Sequence, residues 1–193
     1  RRWLRRYCSK QQCKKATRVS LDSLKRCFRL RTHAENWLTI AVDASPWGIG
    51  GVLMENGVPI SWFADEIHNI DLRVLKAEKG DHRYQTTWEA LAILVAVRAW
   101  KQERHSGVRI IMQSDSLSAL SAAAKQSSSS GAIRTVLCEL ALDEAELDSG
   151  LSTLMHIPGL ANKWPDALSR LWEPSPKEFP SELRAVPRIH VQH

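Results

Sequence analysis

Four carboxylates stand in short stretches of the chain that suit chemistry: Asp43 in "IAVDAS", Glu89 in "QTTWEALAIL", Asp115 in "IIMQSDS" and Asp166 in "NKWPDALSR". Hard oxygen donors of this kind favour Mg2+ or Mn2+ over zinc. A pair of such ions about 3.5–4 Å apart can activate a water and stabilise a leaving oxygen in phosphodiester hydrolysis. Four acids gathered without cations repel one another and would be costly as mere scaffolding. Each acid also has a structural reading of its own. Asp43 could be a strand-end surface acid, Glu89 an acid favoured by a helix dipole, Asp115 the cap of a helix starting at Ser116, and Asp166 a first-turn acid. The fold decides between these readings by bringing the four together or keeping them apart.

The elements that must position them are legible as periodicities. "WLTIAVDAS" alternates, with Ile40 and Val42 on one side and Thr39, Ala41 and Asp43 on the other, as in a strand. "WGIGGVLM" and "VPISWFA" read as two more strands joined by the turn "ENG", which predicts an antiparallel meander. Residues 64 to 84 are polar with little periodicity and read as a connection. "QTTWEALAILVAVRAWKQER" predicts a helix, apolar nearly all round its middle and so buried against the sheet, with Glu89 near its first turn. "VRIIMQSD" reads as a buried strand ending at Asp115, on the edge where open α/β sheets carry their sites. "SLSALSAAAKQ" and "AIRTVLCELALDEAELD" are helices separated by the break "SSSSG", "LSTLMHI" is a fifth strand, and "NKWPDALSRLW" is a closing helix. In that last helix Asn162 is placed as N-cap, and Pro165 is tolerated in the first turn because its missing N–H costs nothing there. The class is α/β, with a five-stranded mixed sheet, three antiparallel strands and then parallel ones, flanked by helices.

At 193 residues and 44% apolar content, the chain suits one domain with appendages. Its longest uninterrupted apolar run, "ALAILVAV", falls far short of the roughly 20 residues that span a bilayer, and no signal-peptide pattern opens it. It therefore reads as soluble. Cys8, Cys13, Cys27 and Cys138 are too irregular for a disulfide framework and suit a reducing compartment; Cys8, Cys13, Cys27 and His33 match no tight zinc spacing. The net charge of +6 divides unevenly, with +10 on residues 1 to 36 and −4 on the remainder. Such a basic block can track a phosphate backbone, or simply be a solvated tail. Three segments follow: a basic stretch over 1–36, a domain over 37–172, and an extended proline-rich tail over 173–193. The chain opens on Arg1 and its first methionine is Met54, as expected of a piece of a longer reading frame.

"IAVDASPWGIGGVL", "QTTWEALAILVAVRAW", "QSDSLSAL" and "HIPGLANKWPDALSR", in this order and on these elements, resemble the ribonuclease H domain of a reverse transcriptase. They look most like those of gypsy-type LTR retrotransposons and related protist elements, over residues 37 to 172. The resemblance implies a ribonuclease H-like fold in which Asp43, Glu89, Asp115 and Asp166 are catalytic and bind two Mg2+ ions, with Mn2+ able to substitute. The implied reaction is endonucleolytic cleavage of the RNA strand of an RNA–DNA hybrid. The implied partner is the polymerase domain of the same polyprotein, and the implied setting a retroelement particle in the cytoplasm or nucleus. Gln85, Thr86 and Ser116 fall at positions that touch the hybrid's minor groove or sugars, where short polar groups can sense the 2′-OH. Trp47, Trp62, Trp88 and Trp100 suit packing, whereas Trp164, beside Pro165, is placed for base stacking.

The chain also departs from that pattern. Many ribonucleases H carry a histidine soon after the glycine of the last motif, but here Gly159 is followed by Leu160 and His156 precedes it. Pro165 replaces the usual alanine before the last aspartate. The basic protrusion of some cellular members is replaced by a serine-rich and then acidic stretch, so affinity for a hybrid must come from the basic block or from a polymerase. No adjacent Asp-Asp pair occurs, so polymerase chemistry is not encoded in these residues. A catalytically silent hybrid-binding or connection module on the same fold is the competing expectation. An integrase would place its glutamate last, whereas Glu89 comes second; an exonuclease on the same fold would be told apart by its product lengths.

Overall fold

The structure, a computed structural model, describes residues 36–103, 108–147 and 153–191. The basic block, with Cys8, Cys13, Cys27 and His33, lies outside them except for Asn36. Five strands form one sheet: β1 (Asn36–Ala44), β2 (Gly48–Glu55), β3 (Val58–Glu66), β4 (Val108–Ser114) and β5 (Thr153–His156). Their spatial order is β3-β2-β1-β4-β5. The β1–β2 and β2–β3 pairs are antiparallel, and the β1–β4 and β4–β5 pairs are parallel. This is the mixed sheet that the alternation of the segments predicts.

The β2–β3 hairpin turns on Asn56 (φ 51°) and Gly57 (φ 80°), both left-handed. Asn-Gly suits this two-residue connection because positive φ costs these residues least and the turn's twist matches that of the strands. Five helices flank the sheet: α1 (Asn69–Leu75), α2 (Gln85–Ala99), α3 (Leu117–Lys125), α4 (Gly131–Leu147) and α5 (Lys163–Ser169). Every residue of α2 from Ala90 to Val97 is buried, so an all-round apolar helix packs between the sheet and α4. Arg98 closes that contact with ion pairs to Glu139 (2.9 Å) and Asp143 (2.6 Å).

The polar connection after β3 holds α1, a helix its periodicity does not announce. Its ends are made locally: the His68 backbone N–H donates to the Asp71 carboxylate at 2.9 Å, and Lys76 (φ 52°) closes the other end in the left-handed conformation.

The second face of the sheet is covered by α5 and by the proline-rich segment that follows it. Val52, Trp62, Ala64, Leu168 and Leu183 form its buried core, with Trp164, Trp172, Phe179 and Val186 packed around them. The segment, expected to be extended, instead carries a 3-10 turn at Ser181–Leu183 and is docked on the sheet. The Trp62 backbone N–H donates to Pro187 O (3.1 Å), and the Ile189 N–H donates to Trp62 O (2.7 Å). Among the described residues no helix is long and apolar enough to cross a membrane.

Candidate active site

Asp43 is the penultimate residue of β1. Strand alternation sends Ile40 and Val42 toward α2 and turns Asp43 to the opposite face, where it meets α5. It is 5% exposed, and its Oδ2 accepts a hydrogen bond from Ser169 Oγ at 3.0 Å. Asp115 follows the last residue of β4, and the parallel register that sets Ala41 opposite Gln113 carries Asp43 and Asp115 to neighbouring strand ends.

Glu89 reaches the same end of the sheet from α2. Its Oε1 accepts from Gln85 Nε2 at 3.1 Å, and its Oε2 accepts from the Ser116 hydroxyl. The same Ser116 oxygen accepts the Ala119 N–H at 3.2 Å as the N-cap of α3, so one hydroxyl starts that helix and holds Glu89. Gln85 Nε2 also donates to the Ala44 carbonyl at 2.6 Å, tying α2 to the end of β1.

Asp166 arrives on α5, whose approach to the sheet is unusually close. A Cβ on Gly50, the residue paired with Asp43, would lie 2.6 Å from Leu168 Cβ and 2.7 Å from Pro165 O. Only a residue without a side chain lets α5 rest there. Asn162 stands at the N-cap position but makes no side-chain cap; its amide donates instead to the Val42 carbonyl at 2.9 Å. The loop between β5 and α5 brings Gly159 against the Asp115 carboxylate, where a Cβ would lie 3.2 Å from Oδ2.

The electrostatics couple three of the acids, Asp43, Asp115 and Asp166. Burial pushes the Asp43 carboxyl up to about 7; the charges of Asp115 and Asp166 add to the rise, and the Ser169 hydrogen bond only partly opposes it. Burial also disfavours a charge on Asp166, but hydrogen bonds and charges from Lys177 and Arg170 outweigh it and hold that carboxyl below its usual range. Arg170 Nε lies 2.7 Å from Asp166 Oδ1, and the Lys177 ammonium pairs with Oδ2.

Among the described residues no three His, Cys, Asp or Glu side chains are gathered as a ready cage for an ion. Asp166 is turned onto Lys177 and Arg170, and Glu89 onto Ser116 and Gln85. The donor set still fits a hard divalent cation in chemistry: it is all carboxylate oxygen, and it draws in cations of the chain itself where charge is needed.

Of the other residues singled out in the sequence, Thr86 is half-buried at the start of α2. Trp164 is packed against the second core, with Lys163 Nζ 5.1 Å from its ring centroid. Trp88 and Trp100 are fully buried. His156, exposed at the end of β5, lies 3.1 Å from the Asp115 backbone carbonyl. Sequence reasoning missed Ser169, Arg170 and Lys177. The spacing of Asp166 and Arg170, one helical turn apart, was the available signal for Arg170; Lys177 comes from the docked segment and has none.

No family model and no curated relative matches the chain. Solved structures do. LC11-RNase H1, in complex with an RNA/DNA hybrid, aligns over 68% of this chain and 92% of its own at 15% identity, with a TM-score of 0.54. The fold is that of ribonuclease H. The ribonuclease H1 of the halophilic archaeon Halobacterium salinarum NRC-1 aligns over 69% of this chain and 92% of its own, at 16% identity and a TM-score of 0.48. A foamy viral protease-reverse transcriptase in complex with double-stranded DNA aligns over 78% of this chain but 26% of its own, at 16% identity and a TM-score of 0.34. In the ribonuclease H fold seen here, β1, β4, α2 and α5 each deliver one of the four acids to the same end of the sheet.

Proposed function

We propose that this domain is a metal-dependent endonuclease that hydrolyses the RNA strand of RNA–DNA hybrids as part of a retroelement reverse transcriptase, of the gypsy type by its motifs. The observation that carries the proposal is the placement of a buried carboxylate, Asp43, at the end of β1 beside the end of β4 that leads into Asp115 and under the helix that bears Asp166; burial and those two charges raise its pKa accordingly. Such a cluster is costly to a fold that does not use it, and perturbed acids at a strand-end site suit catalysis. LC11-RNase H1, on the same fold, holds an RNA/DNA hybrid.

Asp43, Glu89, Asp115 and Asp166 would hold two Mg2+ ions, or Mn2+ in their place, which when bound supply an activated water and charge stabilisation at the leaving oxygen. The remaining work belongs to the chain. Ser169 orients Asp43 through its hydroxyl, Ser116 and Gln85 fix the two oxygens of Glu89, and the side-chain-free Gly159 leaves room for Asp115. Gln85, Thr86 and Ser116 offer short polar groups at the same end of the sheet, where the 2′-OH of the RNA strand can be sensed. The basic residues 1–36 grip the phosphate backbone, and the polymerase of the same polyprotein presents the hybrid. The setting is a retroelement particle in the cytoplasm or nucleus.

A second reading, a silent hybrid-binding or connection module, draws support from Asp166, whose carboxylate is taken up by Lys177 and Arg170. One experiment separates the two. The whole chain is incubated with an end-labelled RNA–DNA hybrid and Mg2+ or Mn2+, beside Asp115→Asn and a form lacking residues 1–36. Internal cuts in the RNA by the wild type and none by Asp115→Asn establish the nuclease. Hybrid retained in a filter assay with no cuts under either ion, both for this chain and for its fusion to a polymerase domain, establishes the silent module.

A further inference from the structure

Lys177 reaches Asp166 from a segment that is held on both sides. Before it, Trp172 packs over Gly48, where an added Cβ would lie 2.6 Å from the indole ring. After it, Phe179 stacks at a tilt on Trp62 with ring centroids 5.1 Å apart, Leu183 is fully buried, and the Trp62 indole N–H donates to Val186 O at 2.9 Å. Pro174, Pro176 and Pro180 limit the backbone freedom of the stretch between these anchors. Lys177 is therefore delivered by a docked strap, with its side chain about half exposed and that of Asp166 largely covered (49% and 23%).

We infer that Lys177 is a built-in cation that neutralises Asp166 until a divalent ion displaces it, so that ion loading and release of the lysine are a single exchange. The inference rests on the metal-binding reading above and adds to it a competitor that the chain carries itself. An ammonium is a compact charge with rotatable donors on a flexible stem, and it can withdraw to solvent without disturbing the anchors of the strap. Arg170 is differently placed, since it is shared between Asp166 and Glu173, the latter at 2.9 Å. Glu173 retains it when Asp166 turns toward an ion. The exchange keeps the acid cluster from repelling itself when ions are scarce, and it raises the ion concentration at which the site fills.

The test is Mg2+ binding to the whole chain by titration calorimetry, with Mn2+ binding by electron paramagnetic resonance alongside, in a cycle of wild type, Lys177→Met, Asp166→Asn and the double variant. Near-ultraviolet circular dichroism verifies that the strap stays docked on Trp62. Removal of the competing pair should tighten ion binding on the order of 2- to 5-fold in Lys177→Met, while the same change in the Asp166→Asn background moves it little. Lys177→Arg should keep the wild-type affinity within a factor of about two. Equal affinities in wild type and Lys177→Met overturn the inference. Equal tightening in both backgrounds also overturns it, because the effect is then general charge and not the contact. Absence of ion binding in every protein removes the metal reading itself and the inference with it, a result distinct from binding that ignores residue 177.

Discussion

The side-chain amide of Asn162 donates to the backbone carbonyl of Val42 at 2.9 Å, in a fully buried position one residue before Asp43. This bond pins the start of α5 to β1 and so sets the separation of Asp166 from Asp43. Replacement by alanine leaves the Val42 carbonyl without that donor, at a cost of about 1–3 kcal/mol. Urea unfolding of Asn162→Ala should show a lower midpoint at unchanged slope, with loss of hybrid cleavage beyond what the stability change explains. Wild-type cleavage in a destabilised protein would show that the bond serves the fold alone.

Gly50 and Gly57 should respond to alanine in opposite ways. At Gly50 the new methyl group meets the backbone and Cβ of α5 below 3 Å, and overpacking of this kind costs about 1–3 kcal/mol and shifts the helix that carries Asp166 and Ser169. At Gly57 nothing lies within 4 Å, and the cost is left-handed strain of about 1 kcal/mol. Gly50→Ala should impair both stability and cleavage, Gly57→Ala stability alone. Equal activity in the two variants would remove the role given to the close approach of α5.

The pH dependence of the ion-free protein follows from Asp43. Its folded pKa, about 7, lies above the unfolded value of 3.8, so the native state binds the extra proton between these limits. That stability is fully present below about pH 4 and lost as pH rises through 7, on the order of 4 kcal/mol for a fully expressed shift. Asp166 has the opposite sign: its lowered pKa adds stability that is present at neutral pH and lost as acid protonates it. In chelator, Asp43→Asn should be more stable than wild type above pH 7 and should flatten the slope between pH 4 and 7. Parallel curves for the two proteins would contradict the raised pKa.

Ser116 caps α3 and also donates to Glu89, so its two functions should separate by substitution. Ser116→Ala loses the cap, about 1 kcal/mol, and frees Glu89. Ser116→Thr keeps a hydroxyl for both. Thermal unfolding and cleavage rates should fall together in the alanine variant and recover in the threonine variant; an alanine variant with normal turnover would make the hydroxyl a cap only.

The strands and α2 were legible because they follow from local periodicity: alternation in β1, an unbroken apolar run in α2, a polar terminus to β4; the grouping of Asp43, Glu89, Asp115 and Asp166 as one set rested on the resemblance to ribonuclease H domains. What escaped was decided by tertiary contact. The helix α1 is only seven residues long, with Ile70 and Val74 exposed, and is defined by Asp71 and Lys76 at its ends more than by an apolar stripe. Asn162 was legible as a cap, but the buried Val42 carbonyl is a stronger claim on its amide than a helix end that can find other partners. Docking of the proline-rich segment depends on Phe179, Leu183 and Val186 falling into the cleft beside Trp62; their i, i+4, i+7 spacing is helix-like, but Pro174, Pro176, Pro180 and Pro187 argue against a helix there, so nothing local announces the docked path. Lys177 was hidden for the same reason.

That docking also closes an open margin of the sheet. β3 is one of the two edge strands, and at Trp62 its outward N–H and C=O are taken by Pro187 and Ile189. Until residues 187–189 reach that strand, its margin is a template on which another copy can pair. A fragment trimmed at Trp172 would therefore be sticky in proportion to its concentration, and a nascent chain would be most vulnerable to self-association in the interval before the strap arrives.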